Sequence, residues 1–487
     1  MDTLWTPDLT ARDKGPRYKA IADALAADVA AGRLAPGTRL PTHRDLAEAL
    51  GVTVGTVTRA YTEAERRGLV AATVGRGTFV APRAPADTAP AEGLASDVCF
   101  PALSPRSLAE SQETGDSEPE SAAVIDLSAN YPVGSLLAPA LQTGLPGLND
   151  FARLGTVAAY QPAPGHPDHR AAGAAWLTRF GLDVAAESVI VTNGCQNGLS
   201  VAFGALAGAG DPVLVESLAW PGIAGVARHQ GLKPVAVEMD GEGLAPDALA
   251  EAARRHGARA VYCMPTLHNP TSRTMSRARR EALLAVAAEH DLVLVEDDIY
   301  GFLRPEAPPP LAALDPERAI YVTSLSKSVA PGLRVGYLAA PPRLVPELAA
   351  VLRAQCIMAG SLAGEVASQL IAGGGADAAA AAQREAARHR QTLAAARLPA
   401  ELYVSAPDSF HIWLRLPAGW SSAAFVRAAL ARGVGLTSGE AFTVDGRDPG
   451  GVRLCLCAVS RESRLVQALE IVAGLLAETP APSMPVV

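Results

Sequence analysis

The sequence lacks paired cysteines, a signal peptide and long apolar runs, and each absence excludes a class of protein. Its six cysteines contain no Cys-x-x-Cys pair. We therefore expect neither a metal site nor a disulfide framework, and the scattered thiols favour a reducing cytoplasm. The N-terminus has no basic segment followed by an apolar one, and no uncharged apolar run reaches bilayer length. These features predict a cytoplasmic protein with no membrane partner.

The chain also lacks an overall basic charge. It has 42 Lys and Arg against 50 Asp and Glu, a net charge of -8, which argues against a protein that coats nucleic acid uniformly. Residues 1–83 differ, because they hold 12 basic and 9 acidic residues. A basic module on an acidic body favours DNA binding by one part only. The 487 residues predict two or more domains.

The N-terminal segment carries three helical patterns. Apolar residues recur every four positions within residues 17–31, as on one face of an amphipathic helix. Thr42 is a plausible N-cap for the next helix, whose Leu46 and Leu50 would face inward. Another helix begins just after Gly51-Val-Thr53. Two helices joined by so short a glycine-containing turn predict a helix-turn-helix.

Residues 69–80 predict a hairpin with its tip at residues 75–77, so the element order is that of a winged helix. The motifs Leu-Pro-x-x-Arg-x-Leu-Ala, Thr-Val-x-x-Ala-Tyr and Gly-Arg-Gly-Thr-Phe-Val make residues 12–82 resemble the GntR family of DNA-binding regulators. A small helical bundle with incidental basic residues is the alternative. Many GntR members carry Ser-Arg where this chain has Thr-Val at the start of the third helix. The resemblance implies DNA contacts from Arg44, Thr53, Thr56, Arg59 and Arg76.

A change of composition separates this segment from the rest of the chain. Residues 83–123 are rich in Pro, Ala, Ser, Glu and Asp, which predicts a flexible linker. Beyond residue 124, apolar strand-like runs alternate with helical runs, so we expect a mainly parallel sheet covered on both faces. Ligands bind such sheets at the carboxyl ends of the strands. The predicted strands are residues 189–192, 212–216, 234–238, 260–263, 292–296, 320–323 and 335–339.

The segment from Thr323 to Tyr337 is the most informative part of the chain. A strand, a hydroxyl-rich turn and a second strand would present Ser324, Lys327 and Arg334 on one side. A lysine can form an imine with an aldehyde, while hydroxyls and an arginine suit a phosphate, which together favour pyridoxal 5′-phosphate. A solvated surface lysine beside a turn is the alternative for a lone Ser-x-x-Lys.

The same segment, Ser-x-Ser-Lys followed by Pro-Gly-Leu-Arg-x-Gly-Tyr, resembles the Schiff-base segment of fold type I aminotransferases. The resemblance implies an α/β pyridoxal-phosphate transferase fold, with a large cofactor domain over residues 124–340 and a smaller α+β domain over residues 341–475. Joined to the winged helix, this multidomain chain resembles the MocR (GabR-like) branch of the GntR regulators.

Further cofactor ligands follow from the resemblance. A small-residue turn at a helix start offers free backbone N–H groups to a phosphate, and the resemblance places the phosphate loop there. Adjacent carboxylates end one strand, and strand alternation puts them on opposite faces, so Asp298 stays the alternative to Asp297 as partner of the pyridine nitrogen. The residues implied to surround the cofactor are Gly194, Cys195, Gln196, Trp220, Asn269, Asp297, Tyr300, Ser324, Lys327 and Arg334.

One further arginine completes the predicted site. Arg453 is a charge within an apolar strand, where a structural ion pair is the alternative. The resemblance implies that it binds the α-carboxylate of a substrate or effector.

These predictions leave three functional hypotheses. The resemblance implies a homodimeric regulator, with the winged helix of one chain packed against the large domain of the other. It would bind double-stranded operator DNA and sense pyridoxal phosphate, an amino acid or a related amine. The alternatives are an active aminotransferase with an appended DNA-binding domain, and a relic whose fold only dimerises that domain.

Overall fold

The computed structural model describes residues 5–7, 17–30, 33–34, 37–66, 69–73, 77–80, 124–145 and 151–478. These residues form two compact units, one N-terminal to the predicted linker and one C-terminal to it. The linker lies outside the described residues, as do residues 74–76, which include Arg76 of the predicted hairpin tip. Within the described ranges, no helix combines the length and the apolar character needed to cross a bilayer.

The N-terminal unit has the predicted order of helices and hairpin. Its elements are α1 Arg17–Ala30, α2 His43–Leu50, α3 Val54–Arg66, β1 Val70–Thr73 and β2 Gly77–Val80. The Thr42 hydroxyl accepts a hydrogen bond from the backbone N–H of Asp45 at 3.3 Å, which confirms Thr42 as the N-cap of α2. Gly51 ends that helix in the left-handed conformation, with φ of 61°. Apolar side chains from all three helices and the hairpin form one core.

The wing contains an additional pairing that the sequence did not predict. The backbone N–H of Gly37 donates to the carbonyl of Val80 at 2.9 Å, and that of Leu40 donates to the carbonyl of Thr78 at 2.8 Å. The segment between α1 and α2 therefore pairs with β2. A four-residue segment that begins with glycine has no alternating pattern from which to predict a strand.

The C-terminal unit is built on a seven-stranded sheet in the order β4-β12-β11-β10-β9-β5-β6. The strands are β4 Val189–Thr192, β5 Pro212–Glu216, β6 Lys233–Val237, β9 Ala260–Cys263, β10 Val293–Asp297, β11 Ala319–Ser324 and β12 Gly336–Ala339. The expected mainly parallel sheet is confirmed, because only β12 runs antiparallel to its neighbours. Apart from the edge strand β6, these strands consist almost entirely of buried and mostly apolar residues, as a sheet covered on both faces requires.

Helices cover both faces of this sheet and continue into the C-terminal part. They are α4 Leu137–Gln142, α5 Phe151–Ala158, α6 Pro167–Leu177, α7 Cys195–Leu206, α8 Pro221–Gln230, α9 Pro246–His256, α10 Arg277–Glu289, α11 Leu311–Leu314, α12 Val345–Cys356, α13 Ser361–Ala372, α14 Gly375–Ala395, α15 Ser422–Ala431 and α16 Glu462–Leu476. The long α14 contributes to both hydrophobic cores, since its first half packs with the large sheet and Ala394 packs with the small one.

A smaller antiparallel sheet, in the order β13-β14-β17-β16, forms the second core with α15 and α16. The remaining strands of the unit are β3 Ile125–Asp126, β7 Met239–Asp240, β8 Gly243–Leu244, β13 Tyr403–Val404, β14 His411–Arg415, β15 Val434–Gly435, β16 Thr437–Ser438 and β17 Gly451–Cys455. Strand β3 pairs with β15, and Ile125 and Leu127 pack in this second core. The start of the unit is thereby tied to its C-terminal part. The domain limits at residues 124–340 and 341–475 stay predictions.

A fully buried ion pair links α10 to the large sheet. Arg280 Nη1 lies 3.4 Å from Glu296 Oε1, and neither side chain is exposed to solvent. Arg280 Nη2 also donates to the Thr266 hydroxyl at 2.8 Å and to the carbonyl of Pro265 at 3.2 Å. Removal of the arginine would therefore leave Glu296 buried without its cationic partner.

We expect Arg280→Leu to lower the free energy of unfolding by about 3 kcal/mol or more, since one partner of a buried pair would remain unpaired. Arg277→Leu is the matched control on the same helix, because its pair with Glu281 is on the surface, and it should cost about 0.5 kcal/mol or less. Urea unfolding followed by circular dichroism measures both changes. Equal losses for the two variants would contradict a structural role for the buried pair.

Candidate functional site

A cavity of about 490 Å³ lies at the carboxyl ends of the central parallel strands. Met264 directly follows β9, Asp297 is the last residue of β10, and Ser324 is the last residue of β11. Three neighbouring strands therefore end at the cavity. This is the position expected from the sequence, because ligands of parallel sheets bind at the carboxyl ends of the strands. The predicted cofactor and effector residues that line the cavity are Cys195, Gln196, Trp220, Asn269, Asp297, Tyr300, Ser324, Lys327, Arg334 and Arg453.

The cavity wall at the start of α7 has the donors that an anion requires. Gly194 precedes this helix with a positive φ of 86°, and no side chain caps the first turn. Arg334 Nη2 donates to the carbonyl of Asn193 at 3.1 Å, and its Nη1 lies 3.4 Å from the Ser326 hydroxyl. A Cβ at position 194 would lie 2.6 Å from Arg334 Nη2. Gly194 does not line the cavity, but its lack of a side chain lets the guanidinium lie against the helix start.

The two adjacent carboxylates at the end of β10 have different environments. Asp297 is 3% exposed; its Oδ1 accepts from the Cys195 thiol at 3.2 Å, and its Oδ2 accepts from the Tyr262 hydroxyl at 3.0 Å. Asp298 accepts from the Tyr321 hydroxyl at 2.7 Å and does not line the cavity. Burial raises the pKa of Asp297 to about 6. A cationic ring nitrogen would supply the charge partner that this buried carboxyl lacks.

Lys327 is the amine in the cavity. Its Nζ donates to the backbone carbonyl of Asn130 and lies 5.9 Å from the centre of the Tyr131 ring. Burial lowers the pKa of Lys327 to about 8, and the nearby guanidinium groups of Arg453 and Arg334 also lower it. Roughly a tenth of the amine is therefore neutral at pH 7, and the neutral form is the nucleophile.

Asn130 is a central site residue that the sequence did not predict. Its Nδ2 donates to the Tyr300 hydroxyl at 2.6 Å and to His411 Nδ1 at 3.0 Å, while its buried Oδ1 has no partner. His411 Nε2 donates to the carbonyl of His268 at 3.2 Å, and burial lowers the pKa of His411 to about 3, so the ring is neutral. Asn130 lies in a loop without a motif; its position soon after the first short strand was the only signal available.

Arg453 is held in the cavity as an incompletely bonded cation. It is 6% exposed; Nη1 donates to Asn269 Oδ1 at 2.8 Å and Nη2 to the carbonyl of Ser128 at 2.5 Å. Its Nε is buried without a hydrogen-bond partner, and no carboxylate of the described residues lies within ion-pair distance. The structural ion pair considered as an alternative is therefore absent from this part of the chain. A guanidinium in this state suits an anionic ligand.

The cavity fits pyridoxal phosphate by the chemistry of its donors. A positive group and free N–H groups lie at the α7 end, a buried carboxyl lies at Asp297, and an amine lies at Lys327. Trp220 adds an aromatic face, and its ring packs against Gly222, where a Cβ would lie 2.0 Å from the ring. The individual contacts of these residues with a cofactor stay predictions.

The predicted DNA-contacting residues are placed on the surface of the N-terminal unit. Arg44 on α2 and Arg59 on α3 are exposed, and neither makes an ion pair within the described residues. Thr53 caps α3, since its hydroxyl accepts from the backbone N–H of Thr56 at 3.2 Å and lies 2.9 Å from the Thr56 hydroxyl. Arg76 lies outside the described residues.

We expect Lys327 of the cofactor-free chain to react with pyridoxal phosphate with a pH midpoint near 8, because the amine must be neutral to attack the aldehyde. Pulse labelling at several pH values, a borohydride quench and peptide mass spectrometry measure the modified fraction at each of the four lysines. Lys233→Ala is the control, since Lys233 is exposed and distant in sequence, and it should leave labelling at Lys327 unchanged. A midpoint near the ordinary 10.5 would contradict the desolvated environment.

Comparisons with known proteins agree with the two units. Residues 122–472 match the family described as aminotransferase class I and II, and residues 17–80 match the gntR family of bacterial regulatory proteins. The helix-turn-helix-type transcriptional regulator YdeF of Bacillus subtilis is 28% identical over 97% of this chain and 96% of its own length. YjiR of Escherichia coli, another such regulator, is 31% identical over 66% of this chain and 69% of its own length. The probable rhizopine catabolism regulatory protein MocR of Rhizobium meliloti is 31% identical over 68% of this chain and 66% of its own length.

Solved structures show the same fold for the C-terminal unit. The α-aminoadipate aminotransferase LysN of Thermus thermophilus, in complex with N-(5′-phosphopyridoxyl)-L-leucine, has a TM-score of 0.65 and 25% identity over 72% of this chain and 92% of its own. The kynurenine aminotransferase of Pyrococcus horikoshii has a TM-score of 0.67 and 24% identity over 73% of this chain and 91% of its own. The chain therefore belongs to the pyridoxal-phosphate-dependent aminotransferase class I and II family and joins this fold to a GntR-type helix-turn-helix domain, as MocR-like transcriptional regulators do.

Proposed function

We propose that this protein binds operator DNA through its winged helix and that a ligand amine in the aminotransferase-like cavity controls the binding. The observation that carries the proposal is the state of Arg453, which is buried in the cavity that Lys327 also lines, with an unpaired Nε and no acidic partner among the described residues. A desolvated cation of this kind costs free energy until an anion pairs with it. The cavity is thereby prepared for a carboxylate next to the lysine amine.

The remaining cavity residues would hold the cofactor. When bound, pyridoxal phosphate supplies an aldehyde carbon that can exchange the lysine for an incoming amine, and a ring that withdraws electrons. Ser324, Arg334 and the N–H groups of the Gly194–Gln196 turn would bind the phosphate. Asp297 would accept from the ring nitrogen, Trp220 would stack on the ring, and Asn269 and Tyr300 would bind the phenolate oxygen. Arg453 orients Asn269, because its Nη1 occupies Asn269 Oδ1 and leaves Nδ2 to donate.

An amine that replaces Lys327 would change contacts beyond the cavity. Lys327 donates to the carbonyl of Asn130, whose side chain bonds Tyr300 next to the large sheet and His411 in the small one. Loss of the lysine contact would therefore favour a different arrangement of the two sheets. A ligand that binds the two arrangements with different affinity shifts their populations.

Transmission to DNA requires contact between the winged helix and the cofactor domain. We propose a cytoplasmic homodimer in which the winged helix of one chain packs against the large domain of the other, as the family resemblance implies. The ligand would be an amino acid, a related amine with a carboxylate, or pyridoxal phosphate itself. The presence of the predicted cofactor residues, among them Lys327 and Asp297, disfavours a relic whose fold only dimerises the DNA-binding domain.

An active aminotransferase is the second candidate. The 2-aminoadipate transaminase of Thermus thermophilus is 30% identical over 65% of this chain and 82% of its own length. Residues that the resemblance assigns to catalysis and cofactor binding, among them Lys327 and Asp297, line the cavity. The match of residues 17–80 to a regulatory DNA-binding family and the regulators that span the whole chain favour regulation. We therefore propose that transamination with common 2-oxo acids is very slow.

We expect Arg44→Ala and Arg59→Ala each to weaken binding to all duplex DNA and to lower the salt slope by roughly one, because each removes a phosphate contact. Arg33→Ala is the control, since Arg33 is exposed but already paired with Asp28 at 2.6 Å. Thr56→Ala should alter sequence preference more than affinity for random DNA. Fluorescence anisotropy at several salt concentrations measures these effects. If the salt slope of DNA binding is unchanged in Arg44→Ala or Arg59→Ala, that arginine does not contact a phosphate.

A further inference from the structure

A chain of hydrogen bonds connects the small sheet to the cofactor cavity. His411 on β14 lies 3.2 Å through its Nε2 from the backbone carbonyl of His268, and its Nδ1 lies 3.0 Å from Asn130 Nδ2. Asn130 Nδ2 in turn lies 2.6 Å from the hydroxyl oxygen of Tyr300. Asn130 and Tyr300 line the cavity, and His411 is fully buried. The chain therefore runs from a backbone carbonyl to a side chain of the cavity wall.

The carbonyl of His268 determines which nitrogen of His411 carries the proton. A carbonyl oxygen can only accept a hydrogen bond, so Nε2 of His411 must donate to it. Burial and the guanidinium of Arg453 lower the pKa of His411 to about 3, so the ring is neutral near neutral pH. A neutral imidazole has a single N–H group, and Nδ1 of His411 is therefore an acceptor.

This acceptor determines the orientation of the Asn130 amide. Of the two ends of the amide, only the NH2 group can donate to Nδ1 of His411. The second hydrogen of the same NH2 group points to the hydroxyl oxygen of Tyr300. With the opposite orientation, the amide oxygen would face the lone pair of Nδ1, and two acceptors would meet in a buried position.

The orientation of the amide in turn determines what the Tyr300 hydroxyl can do. An NH2 group cannot accept, so the Tyr300 oxygen receives a hydrogen bond from Asn130 and keeps its own hydrogen for another acceptor. Tyr300 lines the cavity, where the cofactor would provide that acceptor. If the amide oxygen of Asn130 faced Tyr300 instead, the hydroxyl hydrogen would be used within the wall.

We infer that His411 and Asn130 are positioning residues, which direct the hydroxyl hydrogen of Tyr300 into the cofactor cavity. His411 acts through Asn130, and Asn130 acts through Tyr300. This inference rests on the proposed function, in which Tyr300 binds the phenolate oxygen of pyridoxal phosphate. A hydroxyl that donates to this oxygen stabilises its negative charge.

The tautomer of His411 can be measured without the cofactor. The full chain is labelled with ¹⁵N-histidine, and the ring signals of His411 are identified by their loss in His411→Phe, or in His411→Gln if the first variant does not fold. We expect Nδ1 to have the chemical shift of an unprotonated nitrogen and Nε2 that of a protonated one near neutral pH. A protonated Nδ1 would overturn the inference, whatever the cavity binds.

A reversal of the amide polarity tests the effect on Tyr300. Asn130→Asp hardly changes the shape of the side chain, but a carboxylate can only accept, so Tyr300 would donate to it and not into the cavity. The readout is the pH midpoint of the visible absorption band of the full chain with bound pyridoxal phosphate, which reports the proton shared by the Lys327 nitrogen and the phenolate oxygen. Donation by Tyr300 lowers this midpoint, because it stabilises the oxygen once the proton has left. We expect Tyr300→Phe and Asn130→Asp each to raise the midpoint by about one pH unit or more.

The negative charge that Asn130→Asp adds is controlled for in the Tyr300→Phe background. We expect Asn130→Asp to raise the midpoint there by roughly half as much or less, because the hydroxyl through which it acts is already gone. Equal shifts in the two backgrounds would show that the added charge alone acts, and would overturn the inference while leaving the proposed function intact. If Tyr300→Phe itself leaves the midpoint unchanged, the proposed placement of the cofactor is contradicted together with the inference.

Discussion

The grouping of the half-buried Lys327 with the buried Asp297 and Arg453 in one cavity is the constraint on which the site depends. Removal from water favours the neutral form of each titratable group, which lowers the pKa of Lys327 to about 8 and raises that of Asp297 to about 6. The guanidinium of Arg453 lacks an acidic partner within the described residues, and its Nε has no hydrogen-bond partner. A ring nitrogen, an aldehyde and a carboxylate are the groups that would relieve these three costs. The site is therefore organised around a ligand that the chain itself does not supply.

The sheet explains how distant parts of the chain reach this cavity. The parallel strands end at one edge of the sheet, where they place Asp297 and Ser324. The antiparallel strand β12 begins at that same edge. Arg334, just before β12, therefore lies beside the helix that begins at Cys195. The small sheet contributes Arg453 from β17. A ligand that bonds both Lys327 and Arg453 would thus connect the two sheets.

Much of this could be predicted from the sequence because the signals are local. Apolar runs predicted all seven strands of the large sheet, although β10 extends to Asp297 and β12 begins at Gly336, one residue later than expected. Strand alternation predicted different surroundings for Asp297 and Asp298, and only Asp297 of the two lines the cavity. Contacts between residues far apart in sequence could not be predicted in this way: the side chain of Asn130 meets Tyr300 and that of Ser272 meets Ser409 through the fold alone. The unpaired state of Arg453 likewise became visible only in three dimensions.

The central claim is that ligand binding at Arg453 and Lys327 changes affinity for DNA. The most direct measurement is the dissociation constant for operator DNA of the cofactor-loaded chain, with and without a neutral amino acid, for the natural protein and for Arg453→Ala. We expect a change of about fivefold or more for the natural protein, no response in Arg453→Ala, and retained cofactor in both. Rapid repeated transamination, together with DNA affinity indifferent to every amine and to the cofactor, would contradict it.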